Sequence, residues 1–452
     1  MILLIQPPAM VKGREIAPPL GLMKIAAIPL IKGLQIKILD GNLLGMYELK
    51  KEIRDLNPDY VGFSTMTGPM LLNVLELSKF TKENTMAKVI WGGIHASLLP
   101  YQVMKENCVD IVVKGHGYYT LYNLHKNKKH LERVKGIIFK KGRRVVTTPP
   151  EEDVDYDSLP MTPWHMVNGN AYVSEWADAK RTLPIMTSLG CPYRCTFCYV
   201  HKFFNRKWYP FNFNTLKKEI DYVKKHYNLE GIRINSDNFI GTDVNRAIKI
   251  TEYLKKRKLR WSCLLRMNQV NERILKTFKE NGCNYIFYGI ESGSERILKL
   301  INKDVSIAQA KNVIKITKKL RIRHAVGFMY DFPTETMEDV KQTMKLVNEL
   351  NTYSMLSAFQ PFPDSPLYDY CVKHGLFKPP KTTIGWANFK YVNVHNISQI
   401  PPKELETLNK KFNSTYNIFF NVKVALTNLD FQMLWSMGMH FFRSLKKGEE
   451  YF

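Results

Sequence analysis

The chain has 452 residues, of which 45% are hydrophobic and 24% charged, and its formal net charge is +25. This length exceeds one ordinary hydrophobic core and predicts two or three domains. The sequence contains neither a basic leader with an apolar stretch nor a run of ~18 apolar residues, which argues against a secreted or membrane-spanning protein. Seven cysteines, an odd number, argue against a disulfide framework, so we expect a cytoplasmic protein.

The positive charge attracts anionic partners. It is spread over many helical stretches, such as Lys217-Lys218 and Lys318-Lys319, rather than gathered in one arm. Solvated helix faces are therefore the favoured interpretation, and a binding patch is the alternative. We expect a small-molecule or lipid substrate, including anionic ones, and we do not expect nucleic acid as a partner.

Residues 1–145 alternate between strand and helix patterns. This alternation predicts a doubly wound parallel sheet whose ligands bind beyond the carboxyl ends of the strands. The expected strands are Met1–Gln6, Gln35–Asp40, Tyr60–Ser64, Lys88–Trp91 and Ile111–Val113, and the expected helices are Leu20–Gly33, Tyr47–Leu56, Met70–Glu83 and Leu98–Glu106.

Three motifs in this region resemble the cobalamin-binding domain: Pro18-Pro19-Leu20-Gly21, Val61-Gly62-Phe63-Ser64 and Trp91-Gly92-Gly93-Ile94-His95-Ala96. The resemblance implies a domain that binds cobalamin, and a degenerate domain that binds nothing is the alternative. The residues expected to contact cobalamin are Ser64, Thr65, Gly92, Gly93 and His95.

Two departures from that domain concern histidines. Asn42 stands where the cobalt-binding D-x-H-x-x-G motif has its histidine, and the usual G-E-G-E is Gly115-His116-Gly117-Tyr118. No histidine precedes His95, so we expect cobalt to have no protein ligand. We expect His95 and His116 to be hydrogen-bonded loop residues rather than cobalt ligands.

Residues 146–183 are predicted to be a linker that follows the basic turn at Lys141–Arg144 and contains an acidic, Pro-rich stretch. Six strand–helix units in residues 184–375 then predict a partial (β/α)6 barrel with chemistry at the carboxyl ends of its strands. The expected strands are Pro184–Ser188, Gly231–Asn235, Trp261–Leu265, Tyr285–Ile290, His324–Met329 and Ser354–Gln360, and the expected helices are Leu216–Tyr227, Val244–Arg257, Glu272–Asn281, Ile307–Leu320 and Met337–Leu350.

Three of the cysteines lie in one eight-residue loop, Cys191-Pro-Tyr-Arg-Cys195-Thr-Phe-Cys198. Cysteine thiolates hold iron–sulfur clusters, and the absence of a fourth nearby cysteine would leave one iron open. The alternative is a Cys3His zinc site completed by His201, although structural zinc sites usually take their ligands from two separate knuckles. The other four cysteines are expected to be buried apolar residues: Cys108, Cys263, Cys283 and Cys371.

The CxxxCxxC spacing, with an aromatic residue before the third cysteine, resembles the radical SAM enzymes. Further motifs of that family follow in order, although Asp331 and Thr334 stand where glycines are usual. The resemblance implies a [4Fe-4S] cluster held by Cys191, Cys195 and Cys198, and no catalytic residue is predicted. The residues expected to contact S-adenosylmethionine are Phe197, Tyr199, Asn238, Arg266, Glu291, Ser292 and Gly293.

Residues 376–452 resemble no family. The stretch Phe412–Phe452 is rich in aromatic residues and methionine, with Lys and Arg between them. It is interpreted as part of a helical cap that closes the barrel. A basic amphipathic surface that touches a membrane is the alternative.

Together the resemblances imply a cobalamin-binding radical SAM enzyme of the class B methyltransferase type. Such an enzyme cleaves S-adenosylmethionine reductively, abstracts hydrogen from an unactivated carbon and transfers a methyl group with cobalamin, and it takes electrons from a flavodoxin or ferredoxin. The alternatives are ring formation or rearrangement without methylation and, from another class, a zinc-containing nucleic-acid-binding protein. Methylthio transfer is disfavoured because the first domain has only Cys108, where those enzymes carry a triad.

Overall fold

The computed structural model describes residues 1–9, 16–151, 154–389 and 394–413. Over these residues the predicted α/β fold is confirmed: a first sheet is followed by a curled half-barrel of parallel strands. The elements of the first part are strands β1 (Ile2–Gln6), β2 (Ile36–Asp40), β3 (Tyr60–Ser64), β4 (Lys88–Gly92), β5 (Ile111–Val113), β6 (Ile137–Lys141) and β7 (Arg144–Thr147), and helices α1 (Leu20–Ile31), α2 (Gly41–Leu56), α3 (Met70–Asn84), α4 (Ile94–Leu98), α5 (Pro100–Val103) and α6 (Thr120–Lys126).

The first sheet has the strand order β2-β1-β3-β4-β5-β6-β7, and β1 to β5 are parallel. Alternate residues of β1 are buried in two different cores. Ile2 and Leu4 pack with residues of α1, whereas Leu3 and Ile5 pack with residues of α2 and α3. This burial on both faces explains why the strand is a continuous apolar run.

Several elements of this domain differ from their expected bounds. Lys141–Arg144 forms the turn of the antiparallel β6–β7 hairpin, which extends the sheet and reaches Thr147, inside the stretch expected to be linker. The expected helix Leu98–Glu106 is divided into α4 and α5 at Pro100, because proline has no N–H to continue the hydrogen bonds of the preceding turn. Helix α2 begins at Gly41, before its expected start, and has a non-helical residue at Gly45.

The second part contains the half-barrel. Its strands are β8 (Ser174–Trp176), β9 (Ala179–Ile185), β10 (Ser188–Gly190), β11 (Trp208–Pro210), β12 (Gly231–Ile234), β13 (Arg260–Leu265), β14 (Cys283–Glu291), β15 (Arg323–Tyr330) and β16 (Tyr353–Ala358). The sheet has the order β16-β15-β14-β13-β12-β9-β8, in which the first six strands are parallel and β8 is antiparallel to β9. The helices are α7 (Val200–Phe203), α8 (Phe213–Tyr227), α9 (Val244–Lys256), α10 (Glu272–Glu280), α11 (Glu295–Leu300), α12 (Ile307–Lys319), α13 (Met337–Leu350), α14 (Pro366–Lys373), α15 (Thr383–Ala387) and α16 (Pro402–Asn413).

The first barrel strand, β9, begins at Ala179, inside the stretch expected to be linker, and β8 lies there too. A separate antiparallel pair, β10 and β11, brackets the cysteine loop. The six parallel strands confirm the predicted (β/α)6 half-barrel. In the described part of the chain, no helix is long and apolar enough to cross a bilayer.

Buried polar contacts join the two parts. The ammonium of Lys24 in α1 lies 3.4 Å from a carboxylate oxygen of Glu219 in α8, and both side chains are buried. Trp164, from the connecting segment, donates its indole N–H to Glu219 at 3.1 Å. Tyr172 donates its hydroxyl to Asp40 at 3.0 Å. The connecting segment is therefore packed into the joint between the domains.

The last described segments contact both parts. Trp386 and Phe389 are buried in the same core as Leu3 and Val61 of the first sheet, and the indole N–H of Trp386 donates to Gln102 at 3.1 Å. Helix α16 packs against β16. Beyond position 413, the aromatic stretch that was expected to complete the cap lies outside the described residues.

Asp331, which replaces a family glycine, keeps a positive φ of 69°. Its buried carboxylate accepts three backbone N–H bonds, from His395 at 3.0 Å and from Ile397 and Ser398 at 2.9 Å. Thr334, at the other lost glycine, also has a positive φ, and its hydroxyl accepts a hydrogen bond from Arg296 at 3.1 Å. The side chains of Asp331 and Thr334 therefore both make polar contacts. Asp331 holds the 395–398 segment at the carboxyl end of β15.

Candidate functional site

The cysteine loop runs from the end of β10 to the start of α7. Gly190 precedes it with a φ of 74°, and a Cβ there would collide with the carbonyl of Lys207, so this position requires glycine. The Gly190 amide donates to Asp237 at 2.8 Å, and Thr196 donates its amide to Ile301 at 2.9 Å. The loop is thus fixed to the end of β12 and to the end of α11.

The three thiols lie in a largely buried setting. Burial raises the pKa of Cys198 to about 12, with smaller increases from Cys195 and Cys191, and burial also raises the pKa of Cys191. Two donors face the sulfurs: the amide nitrogen of Asn238 is 3.6 Å from Cys191 Sγ, and Nη1 of Arg266 is 2.9 Å from Cys195 Sγ. Buried thiols become thiolates only when positive charge or donors compensate, so this donor set fits an iron–sulfur cluster.

His201, the fourth ligand of the zinc alternative, is buried in α7, and burial lowers its pKa. Among the described residues, no three His, Cys, Asp or Glu side chains lie close enough together to hold a metal ion, and this holds for the loop cysteines with or without His201. The other four cysteines are buried, as expected.

Glu291 and Phe197 come together beside the cysteine loop through a third residue, Lys303. Glu291 ends β14 with a φ of 77°, and its carboxylate lies 2.6 Å from the Lys303 ammonium. That ammonium lies 5.8 Å from the ring centroid of Phe197. The ion pair is nearly closed to solvent, with side-chain exposures of 8% for Lys303 and 13% for Glu291. Sequence reasoning missed Lys303 because it falls in a loop after α11, outside every motif.

Three other residues expected to contact S-adenosylmethionine make their contacts outside the group formed by Glu291, Lys303 and Phe197. The amide of Gly293 donates to the Thr343 hydroxyl at 2.9 Å, and a Cβ on Gly293 would lie 2.5 Å from Thr343 Cα. The Ser292 hydroxyl is 3.3 Å from that same hydroxyl, so both residues are packed against α13. The Tyr199 ring contacts Phe362, with the centroids 5.8 Å apart.

A cavity of about 140 Å³ lies at the carboxyl edge of the first sheet. Two of its glycines, Gly21 and Gly115, would project an added Cβ into open space. The cavity is mostly apolar and bordered by backbone at its glycines, so at this volume it has room for one edge of a corrinoid and not for the whole ring. The lining residues are Leu4, Gly21, Leu22, Ile25, Gly62, Phe63, Ser64, Ile90, Gly92, Gly93, Val113, Gly115, His116, Gly117 and Leu121.

Ser64, Gly92 and Gly93 therefore line the cavity, but Thr65 and His95 do not. The Thr65 hydroxyl donates to the Gly92 carbonyl at 2.7 Å. His95 is fully buried, with Nδ1 3.1 Å from the Thr67 hydroxyl and its ring beside Trp386. Both side chains bond within their own loops, and their contacts with cobalamin stay a prediction. The alternative expectation for His95, a hydrogen-bonded loop residue, agrees with this geometry.

His116 lines the cavity and is surrounded by aromatic rings. Its ring centroid is 4.8 Å from that of Phe204, 5.5 Å from Phe203 and 5.6 Å from Tyr156. Burial lowers the pKa of His116 to about 4, so its imidazole is neutral at pH 7. Phe203 ends α7, which begins two residues after Cys198, so His116 connects the cavity wall to the helix that follows the cysteine loop.

Comparisons with known proteins agree with the division of the chain into a first domain and a half-barrel. The family model described as the B12 binding domain matches residues 8–125, and the radical SAM superfamily model matches residues 185–347. The uncharacterized methyltransferase PH0819 of Pyrococcus horikoshii is 29% identical over 436 residues, which cover 93% of this chain and 92% of that protein.

Two further similar proteins are matched over different shares of their length. The anaerobic magnesium-protoporphyrin IX monomethyl ester cyclase of Cereibacter sphaeroides is 28% identical over 342 residues, which cover 71% of this chain and 54% of the cyclase. The structure of the radical S-adenosylmethionine methyltransferase TsrM from Kitasatospora setae, with cobalamin and a [4Fe-4S] cluster bound, superposes with a TM-score of 0.72. The superposition covers 82% of this chain and 78% of TsrM at 16% identity, which shows a shared fold.

Proposed function

From the premise that this chain is a radical SAM enzyme with a B12-binding domain, we propose that it methylates an unactivated carbon of a small-molecule or lipid substrate. The observation that carries the proposal is the position of His116. Its ring lines the cavity of the first domain and contacts Phe203 in the helix that follows Cys198. A corrinoid in the cavity would therefore lie next to the cysteine loop.

In this proposal Cys191, Cys195 and Cys198 bind a [4Fe-4S] cluster. When bound, the cluster supplies the electron that cleaves S-adenosylmethionine, and cobalamin supplies a methyl carrier. Glu291 accepts a hydrogen bond from S-adenosylmethionine, and Phe197 packs beside its adenine end. Ser64, Gly92 and Gly93 support the corrinoid through backbone and hydroxyl contacts.

The chain also needs a partner that delivers electrons, and a flavodoxin or ferredoxin meets that need. The net charge of +25 favours an acidic donor and an anionic substrate. All seven cysteines are free, which supports a reducing, cytoplasmic setting.

The test is anaerobic reconstitution with iron, sulfide and hydroxocobalamin, followed by assays of bound iron, bound corrinoid and 5′-deoxyadenosine. Replacement of any of Cys191, Cys195 or Cys198 by Ala should remove most of the iron and all cleavage of S-adenosylmethionine. Cys371→Ala is the matched control, because Cys371 is a buried cysteine outside the loop. Cleavage that survives a loop replacement would contradict the cluster assignment, and reconstituted protein without corrinoid would favour the degenerate-domain alternative.

Ring formation without methylation is the second candidate, and similarity to the cyclase favours it. The two candidates differ in product mass. Methylation adds one methylene unit to the substrate, whereas ring closure adds no carbon.

A further inference from the structure

Arg266 is held in one orientation beside the cysteine loop. It follows β13, and its Nη1 lies 2.9 Å from Cys195 Sγ. Its guanidinium carbon is 3.9 Å from the ring centroid of Tyr193, a residue of the loop itself. Its Nε donates to Asn268 at 3.3 Å, and its Nη2 donates to the carbonyl of Lys303. These contacts leave the planar group little freedom to turn away from the sulfur.

A guanidinium in this position has a definite electrostatic consequence. Arginine stays charged in proteins, so the hydrogen bond to Cys195 is always charge-assisted. Reduction adds a negative charge to a cluster and its thiolates. A fixed positive donor stabilises the reduced form more than the oxidised form and raises the reduction potential, which depends on hydrogen bonds to the sulfurs.

We infer that Arg266 is a positioning residue that raises the reduction potential of the cluster through its bond to Cys195, rather than a ligand of S-adenosylmethionine. This inference rests on the proposed function, because it requires a cluster on the loop. It assigns the residue to the electron-transfer step that precedes cleavage of S-adenosylmethionine.

The experiment is a potentiometric titration of the anaerobically reconstituted chain, followed by the electron paramagnetic resonance signal of the reduced cluster. It is carried out without S-adenosylmethionine, so that a lost contact to that cofactor cannot cause the shift. The variants are Arg266→Gln, which removes the charge, and Arg266→Lys, which keeps the charge but loses the planar fork. Arg246→Gln is the matched control: Arg246 stacks on Trp208 at 5.7 Å and donates to the carbonyls of Thr187 and Phe211, but not to a sulfur.

At the wild-type midpoint potential, the reduced-to-oxidised ratio of Arg266→Gln should fall about tenfold, which is ~59 mV for a one-electron couple. The midpoint potential of Arg266→Lys should lie between those of the wild-type protein and Arg266→Gln. The midpoint potential of Arg246→Gln should stay near the wild-type value. An unchanged midpoint in Arg266→Gln with full iron, an equal shift in Arg246→Gln, or loss of the cluster from both Arg266 variants would overturn the inference. A wild-type chain that takes up no cluster would instead refute the proposed function.

Discussion

Burial determines which protonation states the single residues of this protein can hold. His95 and His324 are buried, and burial lowers the pKa of each to about 4 from an ordinary value near 6.5. Both are therefore neutral in the folded chain at pH 5, whereas their unfolded counterparts are protonated. The unfolded state binds more protons in this window, so stability is lost as the pH falls.

We expect the free energy of unfolding to fall between about pH 6.5 and pH 4, by ~1.4 kcal/mol per pH unit for each such histidine. Denaturant titrations at pH 7 and pH 5 measure this change. His324→Phe should reduce this pH dependence relative to the wild-type protein. An unchanged pH dependence in His324→Phe would contradict the assignment to buried histidines.

Glu291 is the residue on which binding of S-adenosylmethionine should depend most. Glu291→Ala should weaken binding by roughly ten- to hundredfold, since hydrogen bonds to charged groups contribute ~1.5–3 kcal/mol. Iron content should stay normal. Equilibrium binding and iron analysis measure the two effects, and Glu280→Ala, on the surface helix α10, is the control. A parallel loss of iron would make Glu291 a structural residue of the ion pair with Lys303.

At the scale of elements, periodic patterns predicted most helices and strands within a few residues, because apolar spacing reflects which faces are covered. The exceptions were local: Pro100 divided one helix, and the hairpin that turns at Lys141–Arg144 reached into the stretch expected to be linker. Within the site, motifs predicted the cysteine loop, whereas the contacts of Glu291 and Phe197 with S-adenosylmethionine stay predictions. The motifs could not predict Lys303 or the bond from Arg266 to Cys195, since both depend on contacts between distant strands and loops.

Helix α1 offers a direct test of the cavity. Gly21→Leu should reduce corrinoid uptake at least tenfold, because a side chain at Gly21 extends into the open space that the cavity provides. Iron content and helix content should not change. Lys32→Leu, at the exposed end of the same helix, is the matched control. Full corrinoid uptake by Gly21→Leu, measured by absorbance after gel filtration, would show that the corrinoid binds elsewhere.

A second test at this edge of the sheet asks whether a protein nitrogen binds cobalt at its axial position. The paramagnetic cob(II)alamin form should show no splitting from an axial protein nitrogen, because His95 is bonded to Thr67 and the loop after β1 contains no histidine. Splitting that disappears in His116→Phe but persists in His95→Phe would contradict this prediction and would make His116 the ligand.

At the scale of the whole molecule, we expect the stability of the domain joint to depend on the buried pair of Lys24 and Glu219. Lys24→Met leaves a buried carboxylate without its cation and should cost ~3–5 kcal/mol of stability. Lys37→Met removes the cation of a solvent-exposed pair with Glu52 and should cost ~0–1 kcal/mol. Denaturant unfolding of both variants tests this. Equal losses would mean that the joint does not depend on the pair.

The positions of Trp386 and Phe389 limit where this chain can be cut into separate domains. They complete the core of the first sheet, although the half-barrel separates them from it along the chain. A fragment cut at the connecting segment would expose the apolar surface that these two rings cover. We therefore expect that the amino-terminal domain would keep a covered core in another enzyme only if the residues around 386–389 were transferred with it.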